Sequence, residues 1–112
     1  MPVIDQKTFD ELKEMSGDDF INELIDTFLE DAPKMIAEIK SAFASNNVDS
    51  FRRAAHSLKS NAATFGAGQL AALAKELEML GKENKLHEIG DRLKALDEAY
   101  ESVRNELKDL KS

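Results

Sequence analysis

An all-α fold is what this sequence predicts: an antiparallel, up-down four-helix bundle with a short extra helix at its N-terminus. Three observations carry that expectation. Ala and Leu, at 14 and 13 of the 112 residues, far outnumber the 12 Val, Ile and Thr taken together. Ala and straight-chain residues lose little entropy in a helix, whereas β-branched ones lose more. Only five Gly and two Pro interrupt the chain, and between the interruptions apolar residues recur at spacings of three and four.

The first segment runs from about Gln6 to Met15, with Asp5 placed to cap it and Gly17 to end it. Phe9, Leu12 and Met15 suffice for a lid across one end of a bundle. The second begins at Asp18 and Asp19, acids suited to the positive end of a helix. Its predicted stripe is Phe20, Leu24, Phe28, Met35, Ile36, Ile39 and Phe43, with a kink or two abutting helices at Pro33, where a backbone donor is missing. Ser45-Asn46-Asn47 closes it. The third segment, Val48 to Thr64, carries Val48, Phe51, Ala55, Leu58, Ala62 and Phe65 on one face. After Gly66-Ala67-Gly68 a fourth segment, Gln69 to Lys82, repeats the spacing with Leu70, Leu73, Leu77 and Leu80. A fifth, Leu86 to Leu110, continues with Ile89, Leu93, Leu96, Tyr100, Val103 and Leu107. Short connections make consecutive helices antiparallel.

The whole of 1–112 reads as one domain, the bundle itself occupying about 18–110. With no Cys, disulfides, thiol catalysis and zinc fingers are excluded. The longest apolar run, Leu70 to Ala74, is far short of a membrane span, and no signal-peptide pattern opens the chain. A net charge of −7 disfavours nucleic acid or an anionic membrane as partner. The expectation is therefore a soluble, cytoplasmic, monomeric bundle. The Met start and Lys-Ser end fit either a small free protein or a segment of a larger kinase.

Chemistry-bearing residues are few. There is no H-E-x-x-H motif, no Gly-rich phosphate loop and no nucleophile elbow. His87 reads as an exposed residue at a helix start. His56 is different: at about 100° per residue it lies roughly 140° from the centre of its helix's apolar stripe, so it points outward from mid-helix. Arg52 lies one turn before it, Lys59 and Ser60 one turn after, Ala63 and Ala67 beyond. Periodicity alone leaves open both an ordinary surface histidine and one accessible to another protein's flat face.

Residues 55–66 read A-H-S-L-K-S-N-A-A-T-F-G, and this string resembles the histidine-containing phosphotransfer (HPt) domains of phosphorelays. The family pattern is Ala-His, then a hydrophobic residue, Lys, a small residue and Gly at two, three, four and ten positions after the His. Here these are Ala55, His56, Leu58, Lys59, Ser60 and Gly66. Ser60 stands where many members have Gly, which narrows the docking space. Phe28 to Pro33 is similar to the family's acidic, Pro-containing second helix, and Leu77-Glu78 to the segment whose Glu or Gln hydrogen-bonds the reactive His. The resemblance covers about 18–110. T-F-G-A is also similar to the phosphoacceptor domain of chemotaxis histidine kinases.

The resemblance implies that His56 accepts a phosphoryl group from the aspartyl phosphate of a response-regulator receiver domain, or from a histidine kinase module, and passes it to another receiver. Lys59 would stabilise the phosphorylated form, and Glu78 would orient the ring. An unperturbed imidazole titrates near ~6.5, so a neutral ring nitrogen is available at cytoplasmic pH. The chain would be a phosphocarrier and not an enzyme, binding no cofactor, while Mg²⁺ sits in the partner receiver. Arg52, Ser60, Ala63, Gly66 and Lys82, with Ile25 and Leu29 as outward apolar residues of the second helix, are the expected docking surface. Alternatives are a phosphoacceptor domain of a chemotaxis-type or hybrid kinase, and a bundle that is not phosphorylated at all.

Overall fold

The computed structural model describes residues 3–111; Met1, Pro2 and Ser112 fall outside it. Helices α1 (Gln6–Ser16), α2 (Asp18–Ala44), α3 (Val48–Thr64), α4 (Gly68–Lys82) and α5 (Arg92–Leu110) follow in order, with a 3₁₀ turn at Leu86–Glu88. α2 packs on α3, α3 on α4, α4 on α5 and α5 back on α2, which closes the ring of a four-helix bundle. The α3–α4 contact is the most extensive, and α1 lies against α2 and α3.

The helix ends obey local chemistry. Asp5 caps α1 by accepting the Thr8 N–H at 3.2 Å, and Asn47 caps α3 by accepting that of Ser50 at 3.2 Å. Gly17, at φ +85°, ends α1 and donates its N–H to the Lys13 carbonyl. The last helix starts six residues later than its apolar rhythm predicts. Leu86 and Ile89 are buried as that rhythm requires, but Gly90, at φ +54°, turns the chain before α5 begins.

α2 corrects the sequence reading most. Its buried stripe is Ile21, Ile25, Phe28, Ala32, Ile36, Ile39 and Ala42, while Phe20 is 51% exposed. Ile25, expected on the docking surface, is fully buried, and Leu29 is half-buried at the rim of the core. Small residues explain the error: Ala32 and Ala42 face the core where helices approach closely, which rotates the true stripe away from the bulkier Phe20 and Leu24. Met15 is 85% exposed, so the lid contact of α1 falls to Phe9 and, ahead of the helix, Ile4.

α2 does not divide at Pro33. The helix is continuous, and Pro33, lacking an N–H, leaves the Leu29 carbonyl without its intrahelical donor. The Tyr100 hydroxyl of α5 faces that carbonyl at 3.5 Å, which supplies a long hydrogen bond in its place. Gly66, expected on the docking surface, is half-buried at the α3–α4 turn. It stands at φ +76°, and its carbonyl accepts the Asp5 N–H at 2.8 Å. A Cβ there would lie 2.9 Å from that of Thr8, so the missing side chain is what lets α1 seat on the α3–α4 turn. Ala67, placed by periodicity on the His56 face, is buried past the end of α3.

Candidate functional site

The rotation of α3 is fixed by burial of Phe51, Ala54, Ala55, Leu58 and Ala62. His56 is thereby turned to solvent, with 59% of its side chain exposed. On α4, burial of Leu70, Ala74, Leu77 and Gly81 brings the neighbouring Glu78 against α3. Glu78 is the buried charged residue among the described residues. Its Oε2 lies 2.7 Å from His56 Nδ1, and its Oε1 accepts from Lys59 Nζ at 2.7 Å. Lys82 Nζ, one turn along α4, is 3.9 Å from Oε2.

A buried carboxylate is tolerated only when paired and hydrogen-bonded. Lys59, by donating to Glu78, is the main influence holding that carboxyl below the usual carboxylate range; burial opposes it, and His56 assists. An ionised carboxylate can only accept, so the ring proton resides on Nδ1. In the neutral imidazole this leaves the Nε2 lone pair free. Glu78 therefore fixes the ring's orientation and its tautomer together.

Gly81 was not singled out by sequence reasoning. It needs no positive φ, and glycine within a helix is destabilising by roughly 1 kcal/mol relative to Ala. A Cβ at Gly81 would come within 3.3 Å of both Arg52 Cβ and the Phe51 ring. Its absence allows α3 and α4 to approach one turn from Glu78, where the carboxylate must reach His56 and Lys59.

The remaining residues expected at the site divide. Arg52, His56, Glu78 and Lys82 line one open cleft with Arg53 and Ser57. Ser60 and Ala63 are exposed further along α3. His87 is apart from all of these: its side chain is 75% exposed, and its Nε2 lies 3.6 Å from Glu88 of its own turn.

The depressed Glu78 pKa has a pH consequence. Between its lowered folded value and the ordinary Glu value of about 4.3, the unfolded chain binds more protons than the folded one. The contribution is fully present above that ordinary value and is lost as pH falls through the folded value. Glu78→Gln is expected to reduce stability at pH 7, with the gap to the parent narrowing below about pH 4. Denaturant titrations across pH 2–7 check this; a gap constant with pH would mean that Glu78 contributes nothing through its charge.

Known proteins share the fold of this bundle. A sequence model of the Hpt domain matches residues 23–106. The phosphorelay protein LuxU of Vibrio harveyi is 32% identical over 88 residues, covering 79% of this chain and 77% of its own. LuxU of Vibrio vulnificus is 29% identical over 103 residues, covering 91% and 90%. The crystal structure of histidine-containing phosphotransfer protein B (HptB) from Pseudomonas aeruginosa PAO1 superposes with a TM-score of 0.92. It is 25% identical, with 98% of this chain and 95% of that one covered. The chain belongs to the Hpt domain family, the histidine phosphotransfer intermediates of phosphorelays.

Proposed function

We propose that His56 is the phosphoacceptor, taking a phosphoryl group from the aspartyl phosphate of one receiver domain and delivering it to the aspartate of another. The observation that carries this reading is the 2.7 Å contact between buried Glu78 and Nδ1 of a solvent-facing imidazole. The Nε2 lone pair attacks phosphorus, the N–P bond forms, and the P–O bond to the aspartate breaks. The carboxylate leaves with the electron pair. The Nδ1 proton stays in place, so the ring gains positive charge, which the Glu78 carboxylate faces directly. The reverse sequence unloads the ring onto the second receiver.

Phosphoryl transfer passes through a loose transition state, so positioning and charge neutralisation are most of the catalysis. The partner receiver supplies Mg²⁺ for that purpose, while this chain acts as a monomeric, cytoplasmic phosphocarrier that supplies the nucleophile. Lys59 uses one N–H on Glu78 and has two more donors to offer phosphoryl oxygens on the His56 face. Ser60 and Ala63 leave the surface beyond the ring low enough for a receiver to approach. The test is to mix the chain with a phosphorylated receiver and follow appearance of an acid-labile label. Lys59→Ala is expected to slow transfer or shorten the phosphohistidine lifetime about tenfold or more, since a charge-assisted contact contributes about 1.5–3 kcal/mol. Unchanged rate and lifetime would remove Lys59 from the machinery.

A further inference from the structure

The charges of this acidic chain are unevenly placed. Arg52, Arg53, Lys59 and Lys82 stand near His56 and Glu78, where α3 meets α4. The far side of α4 presents carboxylates. At about 100° per residue, Glu76 lies roughly 160° around the helix from Glu78. There α4 and α5 leave an open groove of about 460 Å³, whose lining includes Ala72, Leu73, Glu76, Ala95, Glu98 and Ala99. It continues past Ala72 and Glu76 into a second hollow of about 500 Å³ that reaches Met79, Leu80 and Glu83. We propose that this groove seats a basic amphipathic helix of a partner protein, on the face of the bundle turned away from His56. The inference does not depend on which residue carries the phosphoryl group.

Small residues make the seat. On α5, Ala95, Ala99 and Ser102 follow one another at spacings of four and three, and Ala72 joins them from α4. The outward face of a bundle helix ordinarily carries charged and polar side chains. Here short side chains leave both backbones open to close approach, and the separation of packed helices is set by such contact residues. Apolar contact is available as well: Met79 is 42% exposed, and Leu73 and Leu80 are half-buried. From Gln69 to Glu83 the groove follows α4 for about 20 Å, the length of a helix of about 14 residues. An extended peptide would find no strand edge to pair with among the described residues, whereas a helix satisfies its own backbone hydrogen bonds.

Charge selects the sign of the partner. Glu76, Glu83 and Glu98 line the groove together with Lys75 and Arg92. Arg92 is already committed: it donates to Glu76 at 3.2 Å and to the carbonyls of Glu88 and Ile89 at 2.7 and 3.2 Å. Lys75 is then one charge against Glu83 and Glu98. Glu98 has no ion-pair partner among the described residues, and Glu83 meets Lys85 at 3.3 Å with both side chains 48% exposed. An exposed pair of that kind contributes little, so both carboxylates can turn to a cation of the partner. A second copy presenting the same face would set carboxylate against carboxylate, which disfavours self-association through this groove. A helix with a small or apolar stripe flanked by Lys and Arg meets both features. Seated there, it leaves His56, Lys59 and Glu78 uncovered, so it can hold the chain while the ring is loaded and unloaded.

The test titrates the full, isotope-labelled chain with a synthetic helical peptide of about 18 residues. The peptide carries Ala and Leu at spacings of three and four, with Lys and Arg on both flanks. A scrambled peptide of the same composition, and a version with Glu for every Lys and Arg, are the controls. The basic helix is expected to give saturable amide shifts along α4 and α5 and to bind about tenfold or more tightly than either control. Ala99→Trp fills the groove, and Glu98→Lys reverses an exposed charge that has no ion pair to lose. Each is expected to weaken binding about fivefold or more, with circular dichroism checking the fold. Labelling of His56 by phosphoramidate, a small phosphodonor that needs no docking surface, should be unchanged with the peptide bound. Equal binding of the scrambled peptide would reduce the effect to net charge and overturn the seat. Shifts centred on α2 and α3, labelling blocked by the peptide, or no saturable shift would overturn it too. Sedimentation equilibrium covers the second copy: a parent dimer that Ala99→Trp dissociates would make this chain its own occupant and overturn the basic partner. A chain that takes no label from any donor would sink the phosphoacceptor assignment alone, because the peptide titration reads the groove separately.

Discussion

His56→Gln is expected to abolish labelling by a phosphorylated receiver completely, while His87→Gln labels as the parent does. The two histidines differ in what lies behind them. His56 has a buried carboxylate on Nδ1, which fixes the tautomer and leaves Nε2 to attack, and its helix carries Lys59 one turn on. Among the described residues His87 has exposed Glu88 beside it, near Nε2, and no buried group orients the ring. Gln at position 56 retains an amide that can still donate to Glu78 but has no ring nitrogen to phosphorylate. Because 59% of the His56 side chain is in solvent, the exchange opens no cavity. The helical signal and the unfolding midpoint should therefore stay close to the parent's. Mass spectrometry at neutral pH, before the acid-labile bond is lost, reads the result. A label retained in His56→Gln and lost in His87→Gln would reassign the acceptor.

Much of this arrangement is legible in the sequence, and the differences have physical causes. α3 is readable because Phe51 and Leu58 mark one face and Ala55 and Ala62 fall on the same spacing, so His56 follows as outward. The stripe of α2 differs because counting large residues gives Phe20 weight and Ala32 none. In the bundle Ala32 is fully buried and Phe20 is half in solvent. Ile25 moved from the surface to the core for the same reason. Gly66 was recognised as part of a motif, but its task is backbone space for Asp5 and Thr8, some 60 residues earlier in sequence. No local pattern encodes such a contact.

Glu78 shows the limit most clearly. Its resemblance to the family's polar residue points to His56, yet its own periodicity only places it beside Leu77, two residues after another acid, Glu76, on the same helix. Burial came from the register between α3 and α4, which depends on Gly81 having no side chain at the crossing. The same register put Lys82 and Arg52 on one cleft. Helix propensity and apolar spacing specify which face is inside; the axial offset of two packed helices, and hence which polar groups meet, is set by the smallest residues at the contact.

Ala63→Trp is expected to block transfer from receiver domains while leaving chemical labelling of His56 intact. Ser60 and Ala63 are exposed on α3 beyond the ring, and the core side of that helix is closed by Phe51, Leu58 and Phe65. An indole at position 63 therefore stands in solvent without disturbing the Glu78 contacts or the buried stripe. For a receiver the effect is large: attack on its aspartyl phosphate needs the reacting atoms about 3–3.5 Å apart and in line, and a misplacement of about 1 Å is enough to lower the rate about a hundredfold. Phosphoramidate needs no such surface and should label the variant at the parent's rate. Loss with both donors would mean that the bulky residue disturbs His56 itself. Full transfer from receivers would place the docking face elsewhere, with the half-buried Leu24 and Leu29 on α2 the next positions to substitute. The expected split, receiver transfer lost and small-donor labelling kept, separates the surface that admits the partner from the ring that takes the phosphoryl group.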